Sequence, residues 1–222
     1  YEGGPLFDRN QMKLRHYVSE HVARAYVREI INGLLFLHEH KVIHSDLKLE
    51  NILLNRYGRV GLTDFGCSTE FDVDDHVCRR KGGTPAFQAP EILHGRGTYS
   101  GKAADAYALG VCLYVLLYSR LPYIGQSVSE FSENLKKSEL TIPEFPLVSD
   151  SGKDVLRGLL EKDPSKRLTL AKLLEHPWIS DSRSDVCPIG CHVEEEFRSF
   201  LSSISISAGK DCAITRTFSL GE

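Results

Sequence analysis

The sequence has few of the features that would narrow its function class at once. It holds a single Met and a single Trp in 222 residues, and its formal net charge is only −3. So small an imbalance gives no support to a nucleic-acid-binding or membrane-surface role. The longest unbroken apolar run, Val111 to Tyr118, is far short of the ~20 residues that a spanning helix needs. The first residues, Tyr1-Glu2-Gly3-Gly4-Pro5, carry no initiator Met, no basic stretch and no apolar stretch of a signal peptide. The expectation is a piece of a longer chain. The six cysteines, Cys67, Cys78, Cys112, Cys187, Cys191 and Cys212, contain no Cys-x-x-Cys pair, so neither a zinc ribbon nor a thioredoxin-type site is indicated. Cys187, Cys191 and His192 form at most half of a metal site, because no second ligand pair follows. Scattered thiols suit a reducing, cytoplasmic compartment.

What is present is ordinary globular material, 41% apolar and 26% charged, enough for one good core or two small ones. Val22, Tyr26, Ile30 and Leu34 recur every four residues between Ser19 and His40, which predicts an amphipathic helix with Ser19 as its N-cap. Ile52 to Leu54, a turn at Asn55 to Gly58, and Arg59 to Thr63 predict a short hairpin. From Asp64 to about Gly101 the chain is rich in Gly, Pro, Asp and Thr with little periodicity, and so long an irregular stretch is usually functional. Lys102 to Tyr118 predicts a helix buried all round. Further helices are expected over Val128–Lys137, Gly152–Glu161 and Thr169–Glu175, the last ended by His176-Pro177-Trp178. The fold class expected is mostly α with a small β-hairpin.

Composition changes near Ser180. Residues 181–222 carry seven acids against four bases, so the whole imbalance sits in this Ser-rich tail. Within it Val193, Phe197, Phe200, Leu201 and Ile204 share one helical face, with Glu194, Glu195 and Glu196 near the N-terminal end that favours them. The tail reads equally as a docking helix and as a solvated extension.

The chemistry concentrates in His44-Ser45-Asp46-Leu47-Lys48-Leu49-Glu50-Asn51 and in Asp64-Phe65-Gly66. Asp46 in a loop can accept a hydroxyl proton. Lys48 can turn its ammonium to the same place, where it would offset the charge of a moving phosphoryl group. Asn51 and Asp64 offer hard oxygen donors of the kind Mg²⁺ prefers. The hairpin between them would return both to one edge.

On these residues the stretch resembles the catalytic loop of eukaryotic protein kinases, H-R-D-L-x-x-x-N, followed by D-F-G and by A-P-E, here Ala89-Pro90-Glu91. Gly83-Thr84-Pro85 resembles the substrate-docking loop. Asp105 with Gly110 resembles the buried helix that anchors the catalytic loop, with Tyr107 where many members carry Trp. Leu121-Pro122-Tyr123 resembles the turn after it. Asp163-Pro164 with Arg167 resembles the element whose Arg pairs with the Glu of A-P-E, here Glu91, and His176-Pro177-Trp178 resembles the end of the domain. The resemblance covers residues 1–180 and implies the C-terminal lobe of the kinase fold, with 181–222 outside it. It implies ATP and Mg²⁺ as cofactors and Ser/Thr phosphorylation as the reaction. Asp46 would be the catalytic base, Lys48 the phosphate-neutralising lysine and Thr84 a bridge to both. Asn51 and Asp64 would be the Mg²⁺ ligands. Glu50, Asn51, Leu53, Thr63 and Asp64 would line the nucleotide site, with Leu53 under adenine. Glu50 reads also as a contact for basic substrate side chains or as a solvated loop acid.

Two departures stand out. No Gly-rich loop, V-A-I-K lysine or partner helix Glu is present, and Tyr1-Glu2-Gly3-Gly4 resembles the hinge that follows them. The expectation is a lobe that, alone, binds nucleotide poorly and transfers phosphate negligibly. Ser45 replaces the Arg of H-R-D, the usual receiver of an activation-loop phosphate, which predicts weak dependence on that modification. The basic run Arg79-Arg80-Lys81 in that loop reads as solvated or as a contact for an acidic partner. Gly83-Thr84-Pro85-Ala86-Phe87-Gln88-Ala89-Pro90-Glu91 is most similar to calcium/calmodulin-dependent protein kinase kinases and to the liver-type tumour-suppressor kinase. That implies another kinase as protein substrate, and calmodulin regulation through a segment not in this chain. The alternative is a pseudokinase or non-catalytic docking module. Retained Asp46, Lys48, Asn51 and Asp64 favour the enzyme.

Overall fold

The computed structural model describes residues 5–6, 18–71, 75–78, 82–95 and 97–180. Along the chain lie α1 (Glu20–Glu39), β1 (Val42–Ile43), β2 (Ile52–Leu54), β3 (Val60–Leu62), β4 (Thr69–Glu70), β5 (His76–Cys78), α2 (Pro90–His94), β6 (Thr98–Ser100), α3 (Gly101–Tyr118), α4 (Val128–Lys137), α5 (Asp150–Leu159), α6 (Leu170–Glu175) and α7 (Pro177–Ser180). No described helix is long and apolar enough to cross a membrane.

α1 begins where Ser19 Oγ accepts the Val22 N–H at 3.4 Å. Its stripe of Val22, Tyr26, Ile30, Leu34 and Leu37 is buried and packs on α3. α3 is apolar on nearly every side, and all but two of its residues are buried. A helix of that composition must be surrounded. Its Ser100 cap accepts the Ala103 N–H at 3.1 Å. α5 lies so close to α3 that a Cβ on Gly110 would stand 2.8 Å from Leu159 Cβ, which is why glycine occupies that position. α4 carries only Phe131 and Leu135 into the core.

The hairpin of β2 and β3 is antiparallel, Ile52 opposite Leu62 and Leu54 opposite Val60. Pro5 bridges to Leu53 along its outer edge. The described residues between Asp64 and Gly101 carry more regular structure than their composition predicts. β4 pairs with β1, and β5 pairs with β6. Strands of two or three residues are too short to leave an alternating pattern in sequence. The single expected hairpin is therefore one of three two-stranded sheets among the described residues.

Two helix ends differ from expectation. α5 starts at Asp150, because Ser149 Oγ caps it by accepting the Gly152 N–H at 3.0 Å. His176-Pro177-Trp178 ends α6 but does not end helical structure, since Pro177 opens α7. Proline is tolerated in a first turn because its missing N–H would be unpaired there. The docking helix expected in the tail, the Cys187, Cys191 and His192 group and Arg79-Arg80-Lys81 lie outside the described residues. Cys67 and Cys112 are free thiols.

Candidate active site

The loop from His44 to Asn51 leaves β1 and runs into β2, and one carboxylate directs its first turn. Asp105 of α3 is 1% exposed. Its Oδ2 accepts the His44 N–H and its Oδ1 accepts the Ser45 N–H, each at 3.0 Å. Ser45 adopts a left-handed backbone, φ 66°, which lets successive N–H groups face one acceptor. The buried His44 ring lies 3.1 Å through Nε2 from the Thr63 carbonyl, which ties the loop to the end of β3.

Asp46 follows and is buried. Lys48 Nζ lies 2.7 Å from Asp46 Oδ2 and 3.0 Å from Thr84 Oγ1. The Thr84 N–H donates to Asp46 Oδ1 at 2.8 Å. Asp46, Lys48 and Thr84, the last through both its hydroxyl and its backbone N–H, thus close a triangle between the loop and the Gly83-Thr84-Pro85 turn. Hydrogen bonds between charged groups in such a place are strong. Gly83 has φ 79°, and a Cβ there would meet Gln88 Nε2 at 2.9 Å and the Ser45 carbonyl at 3.1 Å. The close approach of the two segments therefore requires glycine.

Asn51 is buried, and its Nδ2 donates to the Asp46 carbonyl at 2.9 Å and reaches Asp46 Oδ2 at 3.4 Å. Spending its donor on the loop turns its amide oxygen away from it. The Thr63 N–H donates to the Asn51 carbonyl at 3.0 Å, so β2 and β3 carry Asn51 and Asp64 to one end of the hairpin. Asp64 is exposed, has φ 62°, and its Oδ1 accepts the Gly66 N–H at 3.4 Å. Leu53 is half-buried on β2, opposite Gly61. Thr63 is buried and Glu50 is half-buried. Beneath the site, burial pushes the Cys112 thiol well up, and the nearby Glu50 and Asp46 carboxylates add to the effect. It stays protonated and inert.

Farther out, Arg167 holds Glu91 through two hydrogen bonds of 2.6 and 2.9 Å, the pairing expected from the sequence. One participant escaped sequence reasoning. His38 Nε2 lies 2.8 Å from Asp105 Oδ2. The signal was available, since His38 continues the four-residue stripe of Tyr26, Ile30 and Leu34, a polar residue on a buried face.

The sequence matches the family described as Protein kinase domain over residues 1–179. The chain belongs to the protein kinase family. It is similar to Serine/threonine-protein kinase GRIK1 of Arabidopsis thaliana, 40% identical over 174 residues, 78% of this chain and 43% of that protein. A probable serine/threonine-protein kinase of Dictyostelium discoideum is 41% identical over 184 residues, 82% of this chain and 25% of that protein. The calcium/calmodulin-dependent protein kinase kinase of Caenorhabditis elegans is 34% identical over 188 residues, 81% of this chain and 35% of that protein. This kinase chain therefore spans less than half the length of each of these relatives.

Proposed function

We propose that this chain supplies the catalytic loop, the metal-ligand positions and the peptide-docking turn of a protein serine/threonine kinase. The Asp46, Lys48 and Thr84 triangle carries the reading. In the whole protein the substrate hydroxyl would sit against Asp46, which orients it and takes its proton. The hydroxyl oxygen bonds to the terminal phosphorus of ATP as the bond from that phosphorus to ADP breaks. Lys48 offsets the charge on the group in transit, and Thr84 holds Lys48 and Asp46 at a fixed spacing.

Mg²⁺ takes one or two protein oxygens and completes its shell with water and phosphate. The outward amide oxygen of Asn51 and the exposed Asp64 carboxylate suit that demand. Held by Asn51 and Asp64, the ion would supply positive charge to offset that of the phosphates. Leu53 and Thr63 would line the nucleotide site, and Glu50 would face it or a basic substrate side chain.

We assign the described residues to the C-terminal lobe, on the grounds that the helices gather around α3 and the site opens at one hairpin end. The 222 residues contain no V-A-I-K lysine, so alone they should bind nucleotide weakly. The substrate we propose is the activation-loop threonine of another kinase. The support is the Gly83 to Glu91 segment and the likeness to a kinase that is named as acting on kinases. Calmodulin regulation would need a further segment.

The test incubates the whole protein with ATP, Mg²⁺ and a catalytic domain of a calmodulin- or AMP-regulated kinase. Threonine phosphorylation of that domain's activation loop, with negligible transfer by residues 1–222 alone, is expected. Nucleotide binding by the whole protein with no transfer to any Ser or Thr would establish a pseudokinase instead.

A further inference from the structure

The helix that carries Asp105 also holds the segment that follows Asp64-Phe65-Gly66, and it does so at its first turn. Asp75 lies in that segment, half-buried, immediately before β5. The Ser100 Oγ–H donates to Asp75 Oδ2 at 2.5 Å, and the Gly101 N–H donates to the Asp75 carbonyl at 2.7 Å. Ser100 is also the N-cap of α3, where its Oγ accepts the Ala103 N–H. The hydroxyl thus works in both directions, its oxygen spent on the helix and its hydrogen on Asp75. Capping needs only a lone pair, which leaves the donor for a second partner, and a carboxylate is a strong acceptor for it. The N-terminal end of a helix favours the negative charge that Asp75 brings there.

We propose that Asp75 is a positioning residue which, seated on Ser100, fixes the segment that presents Thr84 to Asp46 and Lys48. The proposal rests on the kinase reading for its effect on rate, but not for its effect on the segment. β5 follows Asp75 directly and pairs with β6, His76 opposite Ser100 and Cys78 opposite Thr98. A two-stranded pairing of this length is marginal by itself. Val77 adds a small apolar contact with Ile43, Phe71 and Tyr99. The bonds from Asp75 fasten the start of the pairing to a helix that is buried along nearly its whole length. Gly82 stands four positions after Cys78, and four residues of chain reach at most ~14 Å. The place of β5 therefore limits the place of the Gly83-Thr84-Pro85 turn. That turn brings the Thr84 N–H to Asp46 and the Thr84 hydroxyl to Lys48. Asp105, five positions after Ser100, accepts the His44 and Ser45 N–H groups from the opposite side of the site. The beginning of α3 thus sets both halves, the catalytic loop through Asp105 and the Thr84 turn through Ser100 and Asp75.

A positioning role differs from a merely structural one in what it moves. Loss of folded protein lowers kcat and leaves KM as it was, whereas a displaced turn also weakens peptide docking. The experiment uses the whole protein with three substitutions. Asp75→Ala removes the acceptor. Ser100→Asp keeps a good N-cap but sets two carboxylates against each other. Ser100→Thr keeps both the cap and the donor. Steady-state kinetics, the midpoint of urea unfolding and backbone amide exchange at Thr84 and Gly101 are measured on each. We expect Asp75→Ala and Ser100→Asp to lower kcat/KM for a threonine peptide ~10- to 100-fold. Part of that loss should be a peptide KM raised at least ~3-fold, with the ATP KM changed less than about 2-fold. Exchange at Thr84 and Gly101 should quicken at least ~10-fold. Ser100→Thr should stay close to wild type on every readout. Wild-type kcat/KM and exchange in Asp75→Ala would overturn the proposal. So would a fall in kcat alone with the peptide KM unchanged, or a folded Ser100→Thr protein no better than Ser100→Asp. Should Ser100→Asp fail to fold, Asp75→Ala decides. If the wild-type protein transfers no phosphate, the kinase reading fails, and amide exchange alone decides whether Asp75 holds the segment.

Discussion

Arg167 and Glu91, 76 residues apart in sequence, face each other through two parallel hydrogen bonds of 2.6 and 2.9 Å. The Arg167 side chain is 1% exposed. Its remaining N–H groups donate to the carbonyls of Glu161, Ala103 and Lys162, and its guanidinium lies 5.0 Å from the Tyr107 ring centre. All five donors of the side chain thus find acceptors. The pair fastens the Ala89-Pro90-Glu91 segment, and with it the Thr84 turn, to the helical body.

Removing one partner of such a pair leaves a buried charge without compensation. Arg167→Ala should cost about 3–5 kcal/mol of folding stability, read from the midpoint of urea unfolding. Arg167→Lys should recover little of it, because an ammonium has three donors and no planar fork. A lysine variant as stable as wild type would show that charge alone suffices.

Glu20 makes a second long-range tie, and it responds to pH. Its carboxylate accepts from the Ser149 N–H and Oγ and from Trp178 Nε1, at 2.9, 2.5 and 2.6 Å. Burial works to raise its pKa, but the hydrogen bonds from Ser149 and Trp178, with the Arg24 charge, outweigh it and hold the carboxyl below its ordinary value. A folded pKa below the unfolded one gives stability that is fully present above the ordinary glutamate range. That stability is lost as pH falls through the folded value. Wild type should therefore melt above Glu20→Gln at neutral pH, and the gap should close as the solution is acidified below the glutamate range. A gap that stays constant down to acid pH would remove Glu20 from the account.

Among the described residues, the segment that follows Asp64-Phe65-Gly66 is fastened by apolar packing. Phe71 packs with Ile43, Val77 and Tyr99 in a small core of its own. The Lys41 and Lys102 ammonium groups stand 5.3 and 5.1 Å from its ring centre, in cation–π range. Ser45 occupies the position at which a charged side chain would read a phosphorylated loop. Thr69→Ala and Thr98→Ala in the whole protein should keep activity within about 3-fold of wild type, whereas Phe71→Ala should lose much of it. Radiometric assay before and after phosphatase treatment checks the same point. A large loss at either threonine would mean that a phosphate is read elsewhere.

Much of this was legible in the sequence because its physical signals are local. The stripe of Val22, Tyr26, Ile30 and Leu34 places α1 within a residue of its observed start at Glu20. The hairpin from Ile52 to Leu62 is announced by β-rich runs on either side of Asn55 to Gly58. Asp46, Lys48 and Asn51 lie within six residues of one another, so spacing alone suggests a shared locus. What was not legible depends on distant partners. β5 is stable because β6 lies beside it, and neither has the length to declare itself. His38 is polar on an apolar face for the sake of Asp105, 67 residues away, and no local rule names that partner.

In the proposed reaction Asp46 handles the proton of the acceptor hydroxyl. The most direct measurement compares wild-type and Asp46→Asn forms of the whole protein in phosphoryl transfer from ATP to a threonine peptide, with nucleotide affinity measured in parallel. Asn matches the shape but cannot take a proton, so kcat should fall at least ~100-fold while nucleotide affinity stays within a few-fold. An Asp46→Asn protein that turns over at the wild-type rate would contradict the account.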